Sequence, residues 1–332
     1  MIKERQIVMR RYAFGVDIGG TTVKIGLFET SGILSDKWEI QTRTSESGRY
    51  ILEDIADAIR NKCKEKQIAQ DEIQGIGIGV PGPVFEGTIV NKCVNLGWGV
   101  INVVEIMERL TGIKNIVVGN DANVAALGEM WKGAGEGHKN VVMITLGTGV
   151  GGGIVIDGKI VSGRFGAAGE IGHIQVEKEE KRFCGCGKHG HLEQYASATG
   201  IVWKTTELLK TTTESSMLRK IDEITAKAVF DAAKTGDSLA LKVVQFVGEK
   251  MGQALSYISC IIDPEVFVIG GGVSKAGSIL VDEIRKYYKG ATFHASEKTD
   301  IVLAMCGNDA GMYGAVTVSY THLRAHETRS NL

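Results

Sequence analysis

Apolar runs broken by glycine turns predict a chain that mixes strands and helices. Residues 12–17 form a continuous apolar run that ends in Asp17, which predicts a buried strand. Residues 19–22 predict a tight turn, and residues 23–28 predict a second strand, after which Ser31 and Gly32 turn into a third. The first strand is therefore followed by a hairpin and not by a helix.

The same succession of elements returns in the middle of the chain. Residues 141–146 predict a strand, residues 147–153 a glycine turn, and residues 154–156 and 159–161 two further strands. An internal repeat of this kind predicts two similar domains, each of which offers a glycine hairpin to one ligand. Two unrelated hairpins that look alike remain the alternative.

Helical patterns account for much of the remainder. Residues 50–67 carry apolar side chains at helical spacing. Further helices are predicted at residues 102–110, 121–131, 238–262, 277–288 and 308–317, and further strands at 116–118, 265–269 and 301–304. From about Ser319 onward the chain is polar and has no clear apolar stripe, so residues 319–332 are expected to form a tail outside the core.

Composition restricts the class of protein. A chain of 332 residues exceeds the usual size of one hydrophobic core, so two domains are expected. The net charge is −1, from 38 basic and 39 acidic residues, which argues against a general nucleic-acid-binding surface. Residues 1–11 are charged, unlike a signal peptide, and no apolar run reaches the roughly 18 residues of a membrane span. We therefore expect a cytoplasmic protein.

A short glycine-rich segment concentrates residues that bind metal. Its candidate zinc ligands are His173, Cys184, Cys186 and His191. The two cysteines are the only close pair among six and lie beside histidines, which indicates a metal in a reducing compartment rather than a disulfide framework. Glu170 and Glu193 bracket the segment, and their carboxylates suit a polyhydroxylated ligand. A polar loop with unrelated cysteines is the alternative.

Both glycine turns could bind phosphate. Asp17 stands at a strand end before the turn at residues 18–22, and residues 147–149 form a second turn, so each could present backbone N–H groups to an anion. Purely structural hairpins are the alternative. Residues 147–152 also match Gly-x-Gly-x-x-Gly, but a strand follows where a dinucleotide site needs a helix. The P-loop pattern of nucleotide kinases is absent from the sequence.

Several loops could complete a substrate site. Asp121 follows the strand at 116–118 and opens a helix, so it is either a general base for a substrate hydroxyl or a helix N-cap. The loops around Gly82 and Asn95 could line a sugar pocket, and Trp98 could cover an apolar sugar face, or all three could be ordinary turns. The glycines after the strand at 265–269 could admit adenine or could simply reverse the chain.

Taken together, these motifs resemble the ROK family of sugar kinases and repressors over residues 12–318, most closely its bacterial glucokinases. The resemblance implies an α/β, actin/hexokinase-like (ribonuclease H-like) fold, a duplicated two-domain ATPase. It implies a small domain of residues 12–119 plus about 305–318 and a large domain of residues 120–304 that carries the zinc-binding loop. A homodimer or homotetramer is also implied.

The resemblance also assigns roles. Asp121 is similar to the base that deprotonates the sugar 6-hydroxyl. The expected sugar-binding residues are Gly82, Asn95, Asn120, Asp121, Glu170, His173 and Glu193. The expected nucleotide-binding residues are Asp17, Gly19, Gly20, Thr21, Thr22, Lys24, Gly147, Thr148, Gly149, Gly271 and Gly272. The implied reaction is the ATP- and Mg²⁺-dependent phosphorylation of glucose to glucose 6-phosphate, with structural Zn²⁺.

One departure from the family pattern concerns the metal. The family has a cysteine where this chain has His191, and because imidazole is also a good zinc ligand, a Cys₂His₂ site is expected. His189 falls outside the pattern, and loss of zinc is the alternative. A kinase for another hexose, such as N-acetylmannosamine, is the alternative enzyme. A sugar-sensing regulator is disfavoured, since the first strand at Tyr12 is expected to leave no room for a helix-turn-helix domain.

Overall fold

The computed structural model describes residues 10–329 and, for side chains, residues 10–319. Within that part the chain forms two compact units, the first from residues 10–132, 162–168 and 308 onward, and the second from residues 133–161 and 169–307. The sequence prediction for the N-terminal segment falls largely on residues 1–9, which lie outside the described residues, as do residues 330–332 of the predicted tail. None of the described helices is long and apolar enough to span a membrane.

A five-stranded mixed sheet forms the centre of the first unit. Its elements up to residue 132 are β1 (Tyr12–Ile18), β2 (Thr22–Glu29), β3 (Leu34–Gln41), α1 (Ile51–Lys66), β4 (Ile73–Val80), β5 (Val84–Phe85), β6 (Ile89–Cys93), β7 (Trp98–Asn102), α2 (Val103–Thr111), β8 (Ile116–Asn120) and α3 (Asp121–Lys132). The strand order is β3-β2-β1-β4-β8, in which β1 to β3 are antiparallel and β1, β4 and β8 are parallel. β5, β6 and β7 form a separate small antiparallel sheet.

The second unit repeats this plan. Its elements are β9 (Val141–Leu146), β10 (Val150–Ile156), β11 (Lys159–Ile160), α4 (Glu193–Ala196), α5 (Ala198–Thr211), α6 (Ala226–Lys234), α7 (Ser238–Ile262), β12 (Val266–Gly270), α8 (Ser278–Ala291) and β13 (Asp300–Leu303). The order β11-β10-β9-β12-β13 has the same antiparallel and parallel pairings as the first sheet. The internal repeat predicted from the two glycine hairpins is therefore confirmed.

The C-terminal helix α9 (Ala310–Arg329) packs directly on the first sheet. A Cβ atom on Gly77 would lie 1.6 Å from the carbonyl oxygen of Ala315, and one on Gly15 would lie 2.2 Å from that of Met312. Only glycine allows so close an approach between helix and strands. α9 also contacts α3, so α3 belongs to the first unit.

Two predictions about element boundaries are wrong. The last helix continues past residue 317 to Arg329, and Ser319 is fully buried with its carbonyl oxygen accepting a hydrogen bond from Asn115. The second glycine turn is also shorter than predicted, because β10 already begins at Val150. A Cβ on Gly152 would lie 2.6 Å from the carbonyl oxygen of Gly169, so the glycines of β10 make room for a neighbouring segment.

Candidate functional site

The turn between β1 and β2 is held by its own backbone. The Gly19 N–H donates to the Thr22 carbonyl oxygen at 3.0 Å, and the Thr42 hydroxyl donates to the Gly19 carbonyl at 2.7 Å. Gly20 and Thr21, at the tip, are exposed. The tip therefore presents a short, fixed stretch of backbone of the kind that can bind phosphate oxygens.

The equivalent turn between β9 and β10 is fixed by the start of α5. The Gly147 N–H donates to Gly149 at 2.9 Å, and the Ala198 N–H donates to Gly147 at 2.8 Å. The Thr199 hydroxyl donates to the Thr148 carbonyl at 3.1 Å. This turn is thus anchored against a helix N-terminus, where the backbone dipoles favour negative charge.

Asp17 lies at the end of β1, opposite Lys24 in β2. A Cβ on Gly311, in the first turn of α9, would lie 2.5 Å from Asp17 Oδ2, so glycine there admits the carboxylate. The pKa of Asp17 is raised to about 6. Burial is the largest cause, and the Asp121 carboxylate adds to it. The charge of Lys24 acts in the opposite direction, and Asp309 makes a smaller contribution that raises the pKa. Asp17 is therefore a perturbed carboxyl group, as functional sites often contain.

The sequence predicted a helix from residue 308 but did not assign its first residues to the site. The Lys24 ammonium donates to the Asn308 carbonyl oxygen at 2.7 Å, and Lys37 forms an ion pair with Asp309 at 2.6 Å. A signal was present, because residues 307–310 (Gly-Asn-Asp-Ala) repeat residues 119–122. Residues 119–122 lie where the edge strand β8 meets α3. Residues 307–310 lie after the equivalent edge strand, β13, and run into the start of α9.

Asn120 and Asp121 make different contacts at the start of α3. The Asn120 side-chain oxygen accepts the N–H groups of Ala122 and Asn123 at 3.1 and 3.2 Å, and its amide donates to the Gly82 carbonyl at 3.2 Å. Asn120 therefore caps the helix. Asp121 is half-buried as the first helical residue, and its Oδ1 accepts the Ala122 N–H at 2.8 Å.

Asn95 and Trp98 have different surroundings. Trp98 is 5% exposed, belongs to the hydrophobic core and donates its indole N–H to the Gly48 carbonyl at 3.0 Å, so the suggestion that it covers a sugar is wrong. Asn95 is exposed in the short turn Val94–Leu96. Its carbonyl oxygen would lie 3.8 Å from a Cβ on Gly20, which places Asn95 beside the first glycine turn.

The four candidate metal ligands come together in the second unit, with ligand atoms all within 4.8 Å of one another. His173 Nδ1 lies 3.3 Å from His191 Nδ1, Cys186 Sγ lies 3.3 Å from His191 Nδ1, and Cys184 Sγ lies 3.8 Å from His173 Nδ1. Ordinary zinc bond lengths in a tetrahedron separate two nitrogens by about 3.3 Å and a nitrogen from a sulfur by about 3.5 Å. The observed spacings fit such an ion.

Nearby polar residues lie outside this cluster. The Nδ1 atom of His189 lies 2.8 Å from the Arg182 carbonyl oxygen, and its ring packs against Phe183 at 4.4 Å between centroids. Because His173 directs Nδ1 toward the other ligands, its Nε2 faces elsewhere, 3.8 Å from the exposed Glu170 carboxylate. His173 can therefore contact a metal and a polar ligand at once.

Glu193, the first residue of α4, connects the metal cluster with the second glycine turn. Its Oε2 accepts the Val150 N–H at 3.1 Å, and its Oε1 lies 3.7 Å from Cys184 Sγ. A Cβ on Gly149 would lie 2.4 Å from Oε2. The glycine at position 149 is therefore required for the approach of this carboxylate.

Gly271 and Gly272 follow β12. Glycine is required at position 271 for two reasons. Its φ is +85°, and a Cβ there would lie 2.5 Å from the Leu146 carbonyl oxygen. A Cβ on Gly272 would have no neighbour within 4 Å. This open backbone surface at the end of the second sheet could accept a flat ring.

The comparison with known proteins accords with this arrangement. The ROK family profile matches residues 13–321. The chain belongs to the ROK family. It is 43% identical over 309 residues to a glucokinase of Halalkalibacterium halodurans, covering 92% of this chain and 93% of that protein. A glucokinase of Thermotoga maritima is 35% identical, covering 92% and 96%.

Solved structures of ROK proteins share the fold. A glucokinase of Streptomyces griseus, in complex with glucose and AMPPNP, superposes with a TM-score of 0.73 at 33% identity, covering 93% of this chain and 99% of that one. A ROK transcriptional regulator homologous to E. coli Mlc gives 0.81 at 27% identity, covering 94% and 78%. This ROK protein therefore has the expected actin/hexokinase-like α/β fold, with one five-stranded mixed sheet in each unit.

Proposed function

We propose that this ROK protein is a cytoplasmic glucokinase, which transfers the γ-phosphoryl group of ATP to the 6-hydroxyl of glucose. The observation that carries the proposal is the 43% identity to a glucokinase along nearly the whole of both chains. The glycine turns, Asp17 and Asp121 supply the chemical groups that such a reaction needs. Assembly into a homodimer or homotetramer is part of the proposal.

Asp121 is proposed as the general base. It takes the proton of the sugar hydroxyl while that oxygen attacks phosphorus, a role that contributes roughly 10²–10⁴-fold to a rate. Its position at the start of α3, with one oxygen accepting the Ala122 N–H, supports this role because the hydrogen bond orients the carboxylate. Gly82, Asn95, Asn120, Glu170, His173 and Glu193 are proposed to bind the sugar hydroxyls.

The two glycine turns are proposed to hold the nucleotide. Backbone N–H groups at residues 19–22 and 147–149 would bind phosphate oxygens, with Lys24 nearby, and the open backbone at Gly271 and Gly272 would face the adenosine. Mg²⁺, when bound, neutralises phosphate charge, and Asp17 is the carboxylate proposed to lie nearest to it. Asp17 remains mostly ionised at neutral pH, since its pKa is about 6.

A structural zinc ion is proposed for the Cys₂His₂ cluster. His173, Cys184, Cys186 and His191 supply two thiolates and two imidazoles at tetrahedral spacing. Such an ion would brace the segment that carries His173 and Glu193. Zinc would therefore support sugar binding without taking part in phosphoryl transfer.

A coupled assay of ADP release tests the proposal. The purified protein is given ATP and Mg²⁺ with glucose, mannose, fructose, N-acetylglucosamine, N-acetylgalactosamine or N-acetylmannosamine. Turnover that is fastest with glucose is expected. Faster turnover of an N-acetylated sugar would change the proposed substrate but leave the proposed mechanism in place. Sugar binding without turnover of any sugar in the panel would indicate a regulator.

A further inference from the structure

The candidate metal ligands lie in residues 173–195 (the metal loop). Hydrogen bonds to the backbone of Arg182 hold this segment together. The Arg182 carbonyl oxygen accepts a hydrogen bond from Gln194 Nε2 at 3.0 Å and lies 2.8 Å from His189 Nδ1. Gln194 in turn accepts the N–H of His191 through Oε1 at 3.1 Å. The backbone of one candidate ligand is thereby tied to Arg182 through a single buried amide side chain.

The Arg182 side chain is itself held on two sides. Its Nε and Nη2 donate to the Glu180 carboxylate at 3.0 and 2.5 Å, and its guanidinium carbon lies 3.1 Å from the centre of the Trp203 ring in α5. A guanidinium group can lie over an aromatic ring and offer paired donors to a carboxylate at the same time, which a lysine ammonium cannot do. Arg182 is therefore joined to α5 as well as to its own loop.

Tyr195 completes the group from α4. Its side chain is 2% exposed, and its hydroxyl donates to Glu180 at 2.9 Å. Burial alone would raise the pKa of Glu180, but the hydrogen bonds from Arg182 and Tyr195 outweigh it and lower that pKa to about 2. Glu180 is thus ionised at neutral pH and receives charge-assisted hydrogen bonds from both neighbours.

We propose that Glu180, Arg182 and Tyr195 form a positioning cluster that holds the metal loop in its ligand-binding geometry. The inference rests on the proposed metal and sugar site. None of the three residues supplies a metal ligand, yet Tyr195 stands two residues after Glu193 and Arg182 stands two residues before Cys184. Their contacts therefore limit the positions that Glu193 and the ligands can occupy.

The variant Tyr195→Phe tests the cluster by removing one hydroxyl group. Outer contacts of this kind typically change metal affinity about 10- to 100-fold. We expect zinc affinity, measured by competition with a chromophoric chelator, to fall about tenfold, and the thiolate absorption band of the cobalt(II) form to shift. The KM for glucose should rise severalfold with kcat little changed, because Asp121 is untouched.

Two controls separate positioning from general stability. Tyr257→Phe also removes a hydroxyl hydrogen bond, at an exposed site on α7 where the partner is Gln253, and should leave metal affinity unchanged. Val229→Ala lowers stability by opening a cavity in the core of the same unit, and should lower Tm without altering metal affinity.

The outcomes distinguish this inference from the function it rests on. A Tyr195→Phe protein that binds zinc as tightly as wild type, with an unchanged KM for glucose, would overturn the positioning cluster. Wild-type protein that binds neither zinc nor cobalt would overturn the metal site. In that case the KM of Tyr195→Phe for glucose alone would test the positioning cluster. A higher KM would support the cluster, and an unchanged KM would refute it.

Discussion

Replacing Asp17 with asparagine should stabilise the ligand-free fold at neutral pH while abolishing phosphoryl transfer. Burial, and after it the Asp121 carboxylate, raises the pKa of Asp17 from 3.8 to about 6. A carboxyl group whose pKa is raised by folding costs stability whenever it is ionised, because the unfolded chain ionises more easily. An amide of the same shape avoids this cost.

The sign and size follow from proton linkage. Between pH 3.8 and about 6 the folded protein binds more protons at this site than the unfolded chain, so the free energy of unfolding falls as the pH rises. The loss is nearly complete by about pH 7, one unit above the folded pKa. A shift of about two pKa units corresponds to about 3 kcal/mol at pH 7, and to about 1 kcal/mol at pH 4.5.

Urea unfolding of wild type and Asp17→Asn, between pH 4.5 and 8 and without nucleotide or Mg²⁺, measures this difference. The advantage of the variant should grow with pH and level off near neutrality. Asp231→Asn is the matched control, since Lys227 lowers the pKa of the exposed Asp231 and its replacement should not stabilise. A variant less stable than wild type at pH 7, or an advantage independent of pH, would refute the reasoning.

Three further predictions concern the site. Asp121→Asn should lower kcat by at least about 10²-fold while glucose binding, followed by calorimetry, survives; retained turnover would exclude Asp121 as the base. Cys184→Ser should release zinc, measured by elemental analysis, and raise the KM for glucose. Full activity of metal-free wild-type protein would contradict this prediction. Gly149→Ala would bring a Cβ to 2.4 Å from Glu193 Oε2, so the KM for ATP and for glucose should both rise; unchanged values would show that the turn is not constrained by this carboxylate.

Local sequence signals were sufficient for several features. The two hairpins were predicted because apolar runs and glycine turns occur within a few residues of each other, and a repeated run of such signals indicates duplication. The candidate metal ligands were identified in the same way, since three of the four lie within eight residues, from Cys184 to His191. β4 escaped notice because its isoleucines alternate with glycines, which are poor strand formers until α9 packs on them.

The amino-acid sequence by itself determined the family, the duplicated hairpins and the set of residues available for chemistry. Tertiary structure decided which way side chains point. Trp98 turns into the core because a carbonyl group 50 residues away, at Gly48, accepts its N–H. Likewise, Ser319 of α9 is buried although the sequence there lacks a clear apolar stripe, and Glu193 reaches Val150 only because Gly149 has no side chain. Contacts between distant segments set these outcomes, and no local pattern encodes them.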